Sequence, residues 1–106
     1  GVAISSLANI DGIIYAGTEV NGVYISSDDG ISWIARNAGI ETYEVTSIIS
    51  FQNLIFAGTF GGGVYRSTDY GNSWTQMNNG LTTPKVWSLA ANSNGDIFSV
   101  SNTWCL

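Results

Sequence analysis

Residues 14–33, IYAGTEVNGVYISSDDGISW, align at every position with residues 55–74, IFAGTFGGGVYRSTDYGNSW, without a gap. The offset, from Ile14 to Ile55, is 41 residues. Ala16-Gly17-Thr18 falls on Ala57-Gly58-Thr59, and Gly22-Val23-Tyr24 falls on Gly63-Val64-Tyr65. Asp28, Gly30 and Trp33 fall on Asp69, Gly71 and Trp74. The match runs past the tryptophan: Asn37 pairs with Asn78, Gly39 with Gly80, Val45 with Val86 and Ser47 with Ser88. A third copy then opens, because residues 86–100 resemble 45–58 with one inserted residue. A chain that repeats at a fixed spacing folds as a row of like units, none of which buries its own faces alone.

Each unit reads as strands. VTSIIS is short and β-branched, and LIFAGT is a continuous apolar run that suits a strand buried on both faces. GVYRST alternates, as does WTQMN, which stops at the turn signal Asn79-Gly80. The density of glycine, asparagine, serine and β-branched residues argues against helix throughout. Pro84 sits in the link between units, where a missing N–H does no harm. Four short strands per unit of about 40–45 residues is the pattern of a propeller blade. The expected fold is therefore all-β, with four-stranded antiparallel blades in roughly two and a half copies. The expected boundaries are 4–44 for the first blade, 45–85 for the second and 86–106 for a partial third. So short an array leaves the ring incomplete, because closed propellers take about four blades or more.

Composition removes several function classes. The net charge is -5, and the only cations are Arg36, Arg66 and Lys85. Nucleic-acid binding needs phosphate neutralisation, which three scattered cations do not supply. No apolar run approaches the ~20 residues of a membrane-spanning helix. With no histidine and one cysteine, Cys105, the chain lacks Ser-His-Asp and Cys-His chemistry and ordinary zinc ligation. Cys105 has no intrachain partner and is a candidate for an interchain disulfide, or for a small buried hydrophobe.

The stretches 26–33, SSDDGISW, and 67–74, STDYGNSW, share the pattern Ser-x-Asp-x-Gly-x-Ser-Trp. Asp69 is placed to accept backbone N–H groups of the turn that follows it. Gly71 is suited to a positive φ. Ser67 is placed to bond nearby backbone, and Trp74 to open the last strand and cover the hairpin. A calcium loop wants several oxygen side chains at alternate positions. One carboxylate in 69–74, and the adjacent Asp28 and Asp29 in the first copy, do not provide them. Gly61-Gly62-Gly63 lacks the following Lys-Ser/Thr of a phosphate cradle and leads into a strand. No metal, cofactor or catalytic residue is assigned.

This pattern resembles the Asp-box, or BNR, repeat of sialidase-like β-propellers in secreted bacterial proteins. The resemblance rests on two copies at one spacing and covers nearly the whole chain. It implies a structural role for Ser26, Asp28, Gly30, Trp33, Ser67, Asp69, Gly71 and Trp74, on an outer hairpin away from any active site. It also implies an extracellular or cell-surface location. Enzymes of this family use an arginine cluster and a tyrosine nucleophile. Here Arg36 and Arg66 occupy non-equivalent places, and Tyr15, Tyr24 and Tyr65 belong to the repeated strand pattern.

The expectation is thus a non-enzymatic extracellular structural or assembly module. Its unfinished third blade has open strand edges, which invite pairing with further copies of the chain into an oligomer or filament. Segments such as TSIISFQNLIFAGTF are apolar and uncharged, so cross-β fibre layers are the alternative fold. The alternative function is glycan or protein binding by blades of a larger sialidase-like propeller. Trp104, Tyr43 and Tyr70 are then the candidates for stacking on sugar, and Trp87 is expected in blade packing.

Overall fold

The computed structural model describes residues 3–19, 21–40, 44–77, 86–94 and 97–101. Among them the chain is all-β, with no helix. The first sheet contains β1 (Ile4–Ile10), β2 (Ile13–Thr18), β3 (Val23–Ser26) and β4 (Ile34–Ala35). The second contains β5 (Glu44–Phe51), β6 (Leu54–Phe60), β7 (Gly63–Ser67) and β8 (Thr75–Gln76). In both, the strands lie in chain order and neighbours run antiparallel. A hairpin of β9 (Val86–Ala91) and β10 (Ile97–Ser101) follows. No closed ring forms among these elements.

Turn chemistry sets the register of each hairpin. Asp11-Gly12 joins β1 to β2 as a two-residue turn with φ of 54° and 84°. Positive φ at both central residues matches the right-handed twist of the paired strands, which makes Asp-Gly a favoured hairpin sequence. Between β2 and β3, the Thr18 hydroxyl donates to Gly22 O at 2.8 Å and accepts from Asn21 N at 2.9 Å. Thr59 repeats this in the glycine-rich loop, donating to Gly63 O at 2.8 Å and accepting from Gly62 N at 3.1 Å. An internal hydroxyl therefore takes up the Gly62 N–H of the glycine-rich loop.

The fourth strand is shorter than the alternation of WTQMN suggests. Only Thr75 and Gln76 pair with β7, and both are exposed. With no apolar face to bury, this edge is held by its ladder and by Met77 N donating to Val64 O at 2.7 Å.

The sheets stack face to face. Ile10, Tyr15 and Val23 of the first sheet meet Val45, Ile48, Ile55 and Tyr65 of the second, with Ile40 from the link between them. The opposite face of the second sheet, through Ile49, Phe56 and Val64, packs on Val86, Leu89 and Ile97 of the hairpin. The second sheet is therefore covered on both sides, which suits the unbroken apolar run of β6. Gly58 lets the hairpin approach: a Cβ there would lie 2.8 Å from Val86 Cγ1.

Candidate functional site

The two Ser-x-Asp-x-Gly-x-Ser-Trp loops fold alike. In the first, Ser26 Oγ donates to Asp28 Oδ1 at 2.8 Å and accepts from Gly30 N at 2.8 Å. Asp28 Oδ1 also accepts from Ser32 N at 2.9 Å, and Oδ2 from the Ser32 hydroxyl at 2.5 Å. In the second, Ser67 bonds Asp69 and Gly71 N at 2.8 Å each, and Asp69 accepts from Ser73 N at 3.0 Å and Ser73 Oγ at 2.7 Å. Backbone bonds from Ile31 N to Asp28 O and from Asn72 N to Asp69 O, each 3.3 Å, close a four-residue turn. Its central residues have positive φ: 61° and 89° at Asp29 and Gly30, 58° and 90° at Tyr70 and Gly71.

These bonds set the electrostatics. The Ser32 hydroxyl, then the Ser32 backbone N–H and the Ser26 hydroxyl, lower the Asp28 pKa to about 2. Asp69 is lowered in the same way, first by the Ser73 hydroxyl and then by that of Ser67. A carboxylate held ionised by hydroxyl donors is a poor proton donor near neutral pH and a good clamp for a turn. Among the described residues, no group of three or more acidic or cysteine side chains gathers in a way that could hold a metal ion.

The second loop also joins the sheets. Trp74 precedes β8 rather than opening it, and its role is wider than covering its own hairpin. Its indole Nε1 donates to Arg36 O at 2.8 Å, and its backbone N donates to Ala38 O at 2.9 Å. Both acceptors lie in the link that leaves the first sheet. The Tyr15 hydroxyl reaches Tyr70 O at 3.0 Å, and burial, followed by Tyr70 and Asp11, raises its pKa despite Arg36. Trp74 is 5% exposed, whereas Trp33, at the same place in the first loop, is 39% exposed. The first sheet has no sheet before it among the described residues, so the same motif leaves its tryptophan open.

A second contact recurs along the inner strands. The register of β1 against β2 shifts between Ile4 and Ser6, leaving Ser5 as the extra residue of a bulge. Its hydroxyl donates to Val45 O in the next sheet at 2.6 Å. β5 shifts between Val45 and Ser47, and the extra residue, Thr46, donates to Val86 O at 2.6 Å. A bulge re-aims a side chain that would otherwise alternate with its neighbours. In β9, Trp87 takes this place between paired Val86 and Ser88. It packs on the second sheet, with its ring centroid 4.6 Å from that of Phe60, and stays 49% exposed.

Of the other sequence candidates, Tyr70 lies in the second loop, exposed, with its hydroxyl 3.5 Å from Asn53 Oδ1. Tyr43, Trp104 and Cys105 fall outside the described residues. Sequence reasoning missed the Ser5 and Thr46 hydroxyls, although hydroxyl residues at 5–6 and 46–47 recur at the repeat spacing. No family model matches this sequence, and a search of curated proteins finds no match. No helix among the described residues is long and apolar enough to cross a membrane.

Proposed function

We propose that this chain is a non-enzymatic, extracellular structural module built from Asp-box propeller-type repeats, and that it self-associates. The observation that carries this reading is the recurrence of one joint. Ser5 to Val45 O and Thr46 to Val86 O are the same contact one repeat apart, so the first and second units each hold the unit that follows. The aspartate loops support the reading, because their polar groups are engaged in closing turns and joining sheets. The extracellular location rests on the Asp-box resemblance alone.

Electron microscopy of the purified chain, with light-scattering mass across a concentration series, tests the proposal. Assemblies larger than one chain are the expected result, and a monodisperse monomer at every concentration overturns self-association. A 4.7–4.8 Å fibre reflection together with loss of the tryptophan burial described above would replace stacked repeats with cross-β layers.

A further inference from the structure

We infer that copies of this chain join head to tail, with the face of the first sheet that no described element covers receiving the β9–β10 hairpin of a second copy. The inference rests on the self-association proposed above and assigns it two surfaces. Ile4 and Leu7 are 51% and 66% exposed on that face of the first sheet. One repeat later, Val45 and Ile48 occupy these places and are buried against the first sheet. The open face is therefore the counterpart of a face that the molecule already covers with a sheet of its own.

The occupant follows from the same equivalence. The strand that covers Val45 and Ile48 is β1, which brings Ser6 and Ala8 to the joint. Ser6 Oγ donates to Val45 O at 3.1 Å, and Ala8 packs against the shared core. At the other end of the molecule, β9 carries Ser88 and Ala90 at these positions, both exposed. A second copy thus presents a hydroxyl for the Ile4 carbonyl and a small side chain over which Leu7 can lie. The donor side and the acceptor side are different surfaces, so the contact is heterologous and adds copies until a ring closes or a row is left open.

Two charged substitutions and their mixture test this. Leu7→Glu blocks the receiving face, and Ala90→Glu blocks the presenting one, so that the two blocked surfaces also repel each other in the mixture. Both positions are exposed, and unchanged far-UV circular dichroism and melting would show that each variant folds. The native chain should grow through successive multiples of its mass. Each variant alone should remain at the mass of one chain. Mixed in equal amounts, they retain one good surface each and should stop at twice that mass. Failure of the mixture to form this dimer, or continued growth of either folded variant, would overturn the assigned joint while leaving self-association standing. A native chain that never exceeds one copy would overturn both.

Discussion

Replacing Trp74 and Trp33 separately by alanine measures what holds the two sheets together. The residues occupy the same motif position, but 5% of Trp74 and 39% of Trp33 are exposed. On a tryptophan of roughly 250 Å², that difference is about 85 Å², worth about 2 kcal/mol at ~25 cal/mol per Å². Trp74→Ala also leaves Arg36 O without its indole donor, which adds about 1 kcal/mol. Trp74→Ala should therefore cost about 3 kcal/mol more than Trp33→Ala. Against a total stability of roughly 5–15 kcal/mol for a domain of this size, that is a large fraction. Urea unfolding followed by far-UV circular dichroism, at dilutions where the chain is a monomer, reads the difference directly. Equal losses at the two positions would refute the reasoning, because the tryptophan would then serve its own hairpin and not the joint.

Three further outcomes are expected. Asp28 and Asp69 have pKa values depressed in the folded state, so their contribution is complete above the unfolded value near 3.8 and is lost as pH falls through the lowered folded values, about 2 for Asp28. An acid titration of unfolding should show this limb in the native chain, and the Asp28→Asn, Asp69→Asn double variant should flatten it; an unchanged limb counts against the clamp. Gly39→Ala should destabilise by about 2 kcal/mol or more, since Gly39 has φ of 94° and a Cβ there would run into the Trp74 carbonyl; a melting temperature within a degree of native would sink this. Thr46→Val keeps the shape of the side chain but removes the donor to Val86 O, at a cost of about 1 kcal/mol in chemical unfolding, and no change would mean that the bulge hydroxyl does not hold the hairpin.

The repeat made most of the strand plan legible, because patterns such as the alternation of GVYRST act over a few positions, whereas the Asp11-Gly12 turn and the Thr-to-Gly loops emerged only in the structure. The aspartate loops were legible for the same reason: Ser26, Asp28 and Ser32 lie within one turn of chain. What the pattern did not reveal depends on stacking. Trp74 meets Arg36 and Ala38, residues whose distance in sequence says nothing of the contact until one sheet lies on the next. The bulges at Ser5 and Thr46 were hidden because a strand with one extra residue keeps its composition and loses only its alternation. Trp87 was read as blade packing, and it does meet Phe60 of the second sheet, although the bulge in β9 leaves about half of it exposed.

The joint between units also has a direction. Inner-strand hydroxyls donate forward, from Ser5 to Val45 O and from Thr46 to Val86 O. The tryptophan donates backward, from Trp74 to Arg36 O. A sheet's two faces therefore carry different groups, and two copies of one face do not satisfy each other. Pairing two first sheets would set exposed Trp33 against exposed Trp33, with no inner-strand hydroxyl to meet the Ile4 carbonyl. Pairing unlike ends offers Ser88 in the place from which Ser6 donates to Val45 O, while Trp87 stands where Ser5 and Thr46 donate. Such a head-to-tail contact joins unlike surfaces, so its product is a ring of copies where the rotation per copy closes and a growing row where it does not.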